Sequence, residues 1–327
     1  MTGSASSPAA VVLGGSSKEP PPGIDGAGEV LDLRYARADD EFRAALTGAE
    51  VVFSWRPEPG QLASAWDAAG DLRWIQTASA GVDALLFPEL VDSDVVVTNA
   101  RGVFDGSIAE WAIGAMLAFA AGLHRSIVDQ QVGVWDGDRE TDRLAGSRLT
   151  IVGPGPIGRA TGARAIALGM SVTMVGRAPR TDERFGEVLG PERLHAALAD
   201  ADYVLDALPF TEFTRGMFDA AAFAAMKPTA RFLNVGRGPT VDEPSLVEAL
   251  RQGGIAGAAL DVFEQEPLPT DSPLWTLPGV IVSPHVSGDF HGWQRAVVAV
   301  FVDNARRWAA GGALVNVVDK KAGHGAA

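Results

Sequence analysis

The sequence contains no cysteine, which excludes disulfide bonds, thiolate metal sites and cysteine nucleophiles. It also has no excess of positive charge, because 27 lysine and arginine residues stand against 41 aspartate and glutamate residues, a formal net charge of −14. This balance argues against a nucleic acid or an anionic membrane as the main partner. An anionic ligand must therefore be bound by local cations and backbone amides.

Long hydrophobic runs are also missing. The most apolar stretch, Ile108 to Leu123, is shorter than the roughly 20 residues that a transmembrane helix needs, and it contains Glu110. The sequence begins MTGSASSPAAVVLGG, which lacks the basic segment of a signal peptide. We therefore expect a cytoplasmic protein that does not bind membranes.

The 327 residues are enough for two domains, and a hydrophobic fraction of 47% is typical of a soluble globular protein. Strand-like runs alternate with helical patterns along most of the chain. This alternation predicts an α/β fold in which helices cover the faces of parallel sheets. A long helix is expected from Ser107 to about Asp129, leading into the second half of the chain.

A glycine motif after an apolar strand indicates a nucleotide-binding unit. The segment RLTIVGPGPIGRATGARAIALGMSVTMVGRAPR, residues 148–180, has the pattern of strand, glycine turn, helix and strand. Gly153 permits the tight turn, Gly155 lets the backbone approach a pyrophosphate, and Gly158 lets the helix pack on the strand. The phosphates would face the N–H groups at the helix N-terminus, where the helix dipole favours negative charge. We therefore predict a dinucleotide cofactor.

The end of this unit favours NADP over NAD. An acid about 20 positions after the glycine motif would bind the ribose 2′-hydroxyl of NAD, but residues 175–180 read VGRAPR, with Gly176 near the expected position. A carboxylate would repel a 2′-phosphate, whereas guanidinium groups can pair with one. Arg177 and Arg180 are therefore candidate phosphate ligands, with solvated loop charges as the alternative. Use of NAD stays possible.

Three segments at predicted strand ends carry the candidate chemistry: NVGRG at 234–238, DVFEQEP at 261–267 and SPHVSG at 283–288. Ligands of a doubly wound sheet bind beyond the carboxyl ends of its strands, so Arg237, His285 and an acid of the second segment should share one crevice. A histidine beside a carboxylate can supply a proton near neutral pH. An arginine can bind a carboxylate and polarise a carbonyl. This set suits the reduction of a 2-keto acid, with the acid being either Glu264 or Glu266.

Two loops in the first part of the chain are further candidates. The segment TASAGVD at 77–83 follows a strand, and its small residues could let several N–H groups converge on an anion. The segment NARGVFDG at 99–106 follows the next strand. Either segment could equally be an ordinary loop.

Together these motifs resemble the D-isomer-specific 2-hydroxyacid dehydrogenase family. The resemblance covers most of the chain and includes ASAGVD, TNARGVF, the glycine turn, LPFTEFTRGMF, FLNVGRGPTVDEPSLVEAL, GAALDVFEQEPLP and SPHVSG. It implies an α/β protein of two domains, a Rossmann-like doubly wound cofactor domain at 107–290 and a smaller flavodoxin-like substrate domain from 1–106 and 291–327. It also implies a homodimer whose interface includes the arm around Trp135.

The resemblance also implies roles for individual residues. Arg237, Glu266 and His285 would be catalytic, since the family's acid precedes a proline as Glu266 precedes Pro267. Backbone amides near Ala80, Gly81 and Val82 would bind the substrate carboxylate, together with Arg237 and His285. The residues expected to contact the cofactor are Gly153, Pro154, Gly155, Pro156, Ile157, Gly158, Arg177, Arg180, Leu208, Pro209, Thr214, Val235, Gly236, Arg237, Asp261, His285 and Gly288. Among these, Asp261 would bind the nicotinamide carboxamide.

The expected function is an NAD(P)-dependent oxidoreductase that interconverts a small 2-keto acid and its D-2-hydroxy acid, with NADP preferred and no metal. A substrate of the glyoxylate or hydroxypyruvate type is one option. Glu266 argues against the formate dehydrogenase branch, which has glutamine there. A phosphite-type dehydrogenase and a dinucleotide-sensing, corepressor-like binding protein remain alternatives. Phe290, His291 and Trp293 depart from the commonest sequence after the catalytic histidine and could shape an unusual pocket.

Overall fold

The computed structural model describes residues 7–322 and the backbone of residues 324 and 325. Residues 1–6, 323, 326 and 327 belong to the ranges predicted for the substrate domain and lie outside the described residues. The chain divides into two compact units, Met1–Phe104 with His291–Ala327 and Asp105–Phe290. The first boundary lies two residues before the predicted one, and the second falls at the same residue.

The first unit is built on a parallel sheet of five strands in the order β2-β1-β3-β4-β5. This is the strand order of flavodoxin-like folds. The strands are β1 Ala9–Leu13, β2 Asp32–Ala36, β3 Val51–Ser54, β4 Trp74–Thr77 and β5 Val96–Thr98. The helices are α1 Asp25–Gly28, α2 Asp39–Leu46, α3 Gln61–Ser64, α4 Pro88–Asp92 and a C-terminal helix, Trp293–Ala309. Short strands Val318–Asp319 and His324–Gly325 pair in antiparallel fashion.

The C-terminal helix belongs to the first unit because its aromatic side chains pack on the central strands. Phe301 stacks on Phe53 of β3 with ring centroids 4.3 Å apart, and its centroid lies 5.5 Å from that of Trp74 in β4. All three rings are completely buried. Large buried aromatic rings contribute heavily to core stability. The end of the chain therefore completes the core that its beginning forms.

The second unit is a doubly wound sheet with the strand order β13-β12-β11-β10-β6-β7-β9-β8. Its strands are β6 Arg148–Val152, β7 Ser171–Val175, β8 Arg180–Asp182, β9 Gly186–Leu189, β10 Tyr203–Asp206, β11 Arg231–Asn234, β12 Gly257–Leu260 and β13 Val280–Val282. Its helices are α5 Asp105–Ala120, α6 Leu123–Val132, α7 Pro156–Ala167, α8 Leu194–Asp200, α9 Ala220–Ala224 and α10 Glu243–Arg251. All pairings are parallel except that of β8 with β9. The predicted fold class is confirmed.

Both faces of the second sheet are apolar and covered. Val204 and Phe232 belong to one hydrophobic cluster, whereas their sequence neighbours Leu205 and Leu233 belong to the other. Successive side chains of a strand point to opposite faces, so these strands have helices on both sides. Strand order reverses between β6 and β10, and the carboxyl ends of these two strands mark the point where such sheets bind ligands.

The predicted helix from Ser107 to Asp129 is two helices in the structure. Helix α5 begins earlier, at Asp105, and ends at Ala120, and α6 follows after Gly122, which has a φ of 68° that favours glycine. Among the described residues no single helix is long and apolar enough to cross a membrane. The pair α5 and α6 has the length and composition but is bent by 65°.

The glycine turn is packed against neighbouring backbone at two of its three glycines. A Cβ added to Gly153, whose φ is 104°, would lie 2.6 Å from the carbonyl oxygen of Ala207. One added to Gly158 would lie 2.2 Å from the carbonyl oxygen of Gly153. One added to Gly155 would meet no atom within 4 Å. Packing therefore requires glycine at 153 and 158, whereas at 155 it leaves open space.

We expect Gly158→Ala to destabilise the protein by about 1–3 kcal/mol, because the new methyl group overlaps a backbone oxygen that cannot move cheaply. Gly155→Ala is the matched control, and its free energy of unfolding should stay within about 0.5 kcal/mol of the wild type. Urea titration followed by circular dichroism measures both. Equal stability of the two variants would contradict this account of the turn.

Candidate active site

The predicted catalytic residues follow three neighbouring strands of the second unit. Arg237 lies just after β11, Glu266 lies in the loop after β12, and His285 lies just after β13. These strands are adjacent and parallel, so their carboxyl ends lie at the same edge of the sheet. The topology thus brings together side chains that are far apart in the sequence.

His285 and Glu266 form a direct pair. The Nδ1 atom of His285 lies 2.7 Å from Oε2 of Glu266, and Oε1 of Glu266 accepts a hydrogen bond from the N–H of Phe263 at 3.0 Å. The two side chains are about half and one third exposed. Because Nδ1 is held by the carboxylate, Nε2 is the ring nitrogen left to exchange a proton with a ligand. This geometry selects Glu266 over Glu264 as the partner of the histidine.

The pair changes the acidity of both groups. The hydrogen bond to Glu266 raises the pKa of His285 above 6.5, although burial and the nearby charge of Arg237 oppose the rise. Burial is the largest influence on Glu266 and opposes its ionisation, but hydrogen bonds from His285 and Phe263 outweigh it and lower the pKa below 4.5. The contribution of the raised His285 pKa to the free energy of unfolding is fully present below pH 6.5 and is lost as the pH rises through the pKa of the folded state. The contribution of the lowered Glu266 pKa is fully present above pH 4.5 and is lost as the pH falls through the pKa of the folded state.

The carboxylate of Asp261 holds the loop that carries His285. Its Oδ1 accepts hydrogen bonds from the hydroxyl of Ser283 and the N–H of Val286, and its Oδ2 accepts one from the N–H of Ser287, with both N–H bonds 2.9 Å long. The backbone N–H of His285 donates to the carbonyl oxygen of Asp261 at 2.8 Å. His285 has a φ of 55°, a left-handed conformation that costs of order 1–3 kcal/mol in a residue other than glycine. The buried Asp261 therefore stabilises a backbone conformation that would otherwise be unfavourable.

Arg237 passes between two other loops because glycines flank it. A Cβ on Gly236 would lie 2.6 Å from the carbonyl oxygen of Leu208, and one on Gly238 would lie 1.8 Å from that of Phe263. Only glycine allows so close a backbone approach on both sides. The segment with Arg237 is thereby fixed between the loops that follow β10 and β12.

The glycine turn fits the phosphates of a dinucleotide. Helix α7 begins at Pro156 directly after Gly155, so the free N–H groups of its first turn, including that of Ile157, form an anion site. The open space at Gly155 is where a phosphate can approach the backbone. The side chain of Pro154 packs toward the residue after β7, since it is 3.0 Å from a Cβ placed on Gly176.

The end of β7 carries a cation where an acid would favour NAD. A Cβ on Gly176 would lie 3.2 Å from Nη1 of Arg180, so this guanidinium lies over the end of the strand. The acid nearest in sequence, Asp182, is buried and pairs with Arg159, and it also accepts from the N–H of Arg184 at 3.0 Å. Arg177 is exposed. The strand end therefore presents arginine rather than carboxylate.

The other predicted cofactor residues lie on loops at the carboxyl ends of strands. Leu208, Pro209 and Thr214 belong to the loop after β10, and the buried Val235 follows β11. The hydroxyl of Thr214 donates to the carbonyl oxygen of Pro209 at 2.7 Å and thus holds its own loop. Gly288 follows the His285 loop, and its carbonyl oxygen accepts from the hydroxyl of Ser107 at 3.3 Å.

One buried acid in this region was not predicted from the sequence. Asp206 ends β10, is completely buried, and contacts Leu208 N–H and the Thr240 hydroxyl. Burial raises its pKa to about 7, against the opposing effect of these two hydrogen bonds. The signal in the sequence was a single aspartate at the end of the apolar run YVLD.

In the first unit, the loop after β4 offers an anion site. Among the described residues, the N–H groups of Ala80, Gly81 and Val82 have no hydrogen-bond acceptor. The carbonyl oxygens of Ala80 and Gly81 accept from the side chains of Asn99 and Ser79 at 2.7 and 2.5 Å. These bonds fix the loop and leave its amides available.

Phe290 is the last residue of the second unit, whereas His291 and Trp293 belong to the first. Trp293 packs in the first unit against Trp55 and Phe104, each ring centroid 6.0 Å away. Phe290 and His291 are exposed. Within the part of the chain that the structure describes, no group of three or more His, Asp or Glu residues could hold a metal ion.

The chain is similar in sequence and in structure to known proteins. The family model described as D-isomer specific 2-hydroxyacid dehydrogenase, NAD binding domain, matches residues 113–287. Glyoxylate/hydroxypyruvate reductase B of Citrobacter koseri is 37% identical over 240 residues, which cover 71% of this chain and 74% of that protein. A D-isomer specific 2-hydroxyacid dehydrogenase from Xanthobacter autotrophicus Py2, solved with NADPH and MES, is 32% identical, has a TM-score of 0.80 and covers 96% and 99% of the two chains. An NADPH-dependent glyoxylate/hydroxypyruvate reductase from Sinorhizobium meliloti, solved with citrate, has a TM-score of 0.82 at 27% identity and covers 96% and 98%.

We expect the imidazole of His285 to titrate above pH 6.5 and its pKa to fall in Glu266→Gln, because an amide cannot stabilise the imidazolium as a carboxylate does. Proton–nitrogen NMR of the histidine side chains measures both values. His124, in α6, is the internal control and should titrate identically in the two proteins. An unchanged His285 pKa in the variant would show that the pair is not formed in solution.

Proposed function

Because the chain belongs to the D-isomer-specific 2-hydroxyacid dehydrogenase family, we propose that it reduces a small 2-keto acid to the D-2-hydroxy acid with NADPH, and catalyses the reverse reaction. The observation that carries this proposal is the hydrogen-bonded pair of His285 and Glu266 with Arg237 on the neighbouring loop. An intact acid–base pair favours an enzyme over a dinucleotide-sensing, corepressor-like protein of the same fold.

The residues divide the chemistry among them. In the reductive direction, protonated His285 donates the Nε2 proton to the oxygen of the substrate carbonyl, and Glu266 stabilises the imidazolium until then. Arg237 binds the substrate carboxylate and polarises the carbonyl. The amides of Ala80, Gly81 and Val82 bind the carboxylate as well. When bound, the cofactor supplies the hydride.

The cofactor is held by backbone at its phosphates and by side chains at its ends. The N-terminus of α7, with Pro154 to Gly158, binds the pyrophosphate, and Arg180 and Arg177 bind the 2′-phosphate. Leu208, Pro209 and Thr214 line the adenine side, and Val235, Gly236 and Gly288 line the nicotinamide side. Asp261 has one acceptor position left beyond its three loop contacts, and we propose that this position takes the carboxamide.

A substrate of the glyoxylate or hydroxypyruvate type is the first candidate, since the similar proteins from Citrobacter koseri and Sinorhizobium meliloti carry those names. The domain that supplies residues 80–82 is the substrate domain, and the unit from 105 to 290 is the cofactor domain. We also propose a cytoplasmic protein that acts on small molecules and binds neither nucleic acid nor membrane, consistent with its net charge of −14.

A homodimer is the proposed assembly. The second half of α6 and the arm after it expose a run of large apolar side chains: Ile127, Val128, Val132, Val134 and Trp135, the last being 96% exposed. Contiguous apolar surface of this kind is typical of an interface. A second copy of the chain would cover it.

The first test is cofactor preference. We expect kcat/KM with NADPH to exceed that with NADH by about tenfold or more, because one charge-assisted pair contributes about 1.5–3 kcal/mol. Arg180→Ala should lose most of this preference while activity with NADH is unchanged. Arg193→Ala, an exposed arginine in the 3₁₀ turn Pro191–Arg193, is the control. A wild-type preference for NADH would refute the assignment.

The second test concerns the catalytic residues and uses NADPH oxidation with a panel of 2-keto acids. We expect His285→Ala to lower kcat by about 10²–10⁴-fold with little change in the Kd for NADPH. Arg237→Lys should raise KM and lower kcat, since an ammonium group cannot form the two-pronged contact. No turnover by the wild type on any 2-keto acid, including glyoxylate and hydroxypyruvate, would count against an enzyme of this class.

The third test is the assembly state. Sedimentation equilibrium should give a dimer for the wild type and a monomer for Val132→Asp with Trp135→Asp, because two charges cannot be buried in an apolar contact. Leu168→Asp, at the partly exposed end of α7, is the control and should stay dimeric. A monomeric wild type would exclude the proposed interface.

A further inference from the structure

The buried carboxyl group of Asp206 has no part in the chemistry proposed above. Its Oδ1 accepts from the N–H of Leu208 at 2.9 Å, and its Oδ2 lies 2.5 Å from the hydroxyl oxygen of Thr240. At the same register, β6 presents Val152 and β11 presents Asn234, neither of which is charged. The loop after β11 carries two charged side chains, those of Arg237 and Asp242, and the carboxylate of Asp242 accepts a hydrogen bond from the hydroxyl of Ser245. One N–H and one hydroxyl are few donors for a buried carboxylate ion.

The Thr240 hydroxyl lies between two acceptors. It is 2.5 Å from Oδ2 of Asp206 and also 2.5 Å from the backbone carbonyl oxygen of Arg237. A hydroxyl group has one proton to donate. It can therefore satisfy both oxygens only if one of the two neighbours supplies a proton of its own, and a carbonyl oxygen cannot.

We infer that Asp206 is held as the neutral acid and, through the Thr240 hydroxyl, acts as a proton-dependent positioning group for Arg237. In this state Asp206 donates its O–H to Thr240, and Thr240 donates to the carbonyl oxygen of Arg237. Every donor and acceptor then has a partner. The consequence for activity rests on the role proposed for Arg237.

Ionisation of Asp206 changes this arrangement. Burial is the main reason that its pKa is raised to about 7, so the proton is lost near neutral pH rather than in acid. The Thr240 hydroxyl then donates its hydrogen bond to the carboxylate instead of to the carbonyl oxygen of Arg237. That carbonyl oxygen keeps two longer hydrogen bonds of 3.2 Å, from Asn234 Nδ2 and from the N–H of Thr240. Arg237 loses its shortest backbone restraint. Binding of the 2-keto acid should weaken as the pH rises through about 7.

The coupling can be observed without turnover. The amide nitrogen of Gly238 belongs to the same peptide group as the carbonyl of Arg237, so its NMR shift reports the hydrogen bond at that oxygen. In the wild type we expect this shift to titrate with a midpoint near pH 7. The titration should be absent in Asp206→Asn, whose amide can donate to Thr240 and accept from Leu208 at every pH, and absent in Thr240→Val.

Infrared difference spectra of the wild type minus Asp206→Asn test the protonation state separately. A carbonyl band of a neutral carboxyl group should be present at about pH 5.5 and absent at about pH 8.5, on either side of the expected midpoint. Subtracting the variant removes bands from other carboxyl groups. A missing band at the lower pH would mean that Asp206 is ionised in the folded protein and would overturn the inference.

Kinetics then test the consequence for Arg237. Thr240→Val should lower kcat/KM for the 2-keto acid by about tenfold, mainly through KM, with an unchanged Kd for NADPH, and Thr240→Ser should restore most of the loss. Asp206→Asn should keep near wild-type activity at about pH 6 and lose one ionisation from its alkaline limb. Thr229→Val, at an exposed threonine, is the control.

Besides a missing infrared band, two further results would overturn the inference: a Gly238 shift that does not respond to pH, or a Thr240→Val variant with wild-type kinetic constants. If the proposed function is wrong, the experiments give a different result. In that case the wild type itself turns over no 2-keto acid, while the infrared band and the Gly238 titration still decide whether Asp206 controls the backbone at Arg237.

Discussion

The site depends on one buried carboxylate. Asp261 binds the hydroxyl of Ser283 and two N–H groups of the loop after β13, and its carbonyl oxygen binds the N–H of His285. These bonds compensate for a left-handed backbone at a residue that is not glycine. Without them the imidazole would have no fixed direction toward Glu266, and the rise in its pKa would disappear with the hydrogen bond that causes it. The hydrogen bonds of Asp261, which follows β12, thus offset the unfavourable backbone conformation of His285 in the loop after β13.

The parallel sheet explains why such distant residues can cooperate. Strands β10 to β13 are neighbours in one parallel sheet, so their carboxyl ends lie at the same edge. Asp206 binds the loop of Leu208 and the hydroxyl of Thr240, and Asp261 binds the loop of His285. Two buried acids thus support the loops that carry Arg237 and His285, the groups that would meet the substrate. Gly236 and Gly238 are necessary because the loops approach too closely for a side chain.

The sequence predicted the features that depend on local spacing. The three glycines, the strand ends and the α/β class follow from periodicity, and the structure gives Glu266 rather than Glu264 as the partner of His285. The pairing of β8 with β9 was missed, because RTD and GEVL lack the β-branched pattern of strands and their pairing depends on tertiary contacts. The break at Gly122 was missed, since a single glycine is tolerated within a helical pattern. The roles of Asp206 and Thr240 could not be read from sequence, as their contact spans 34 positions.

The role of the Asp261 hydrogen bonds in holding the His285 loop is tested by the single-turnover rate of hydride transfer from saturating NADPH to a 2-keto acid in Asp261→Asn. An amide has one acceptor oxygen and would direct its own N–H groups at the loop, so the left-handed backbone of His285 loses its support. We expect a folded variant in which hydride transfer falls by about 10²-fold, the cost of a catalytic group displaced by about 1 Å. Transfer at the wild-type rate, whatever the affinity for NADPH, would contradict it.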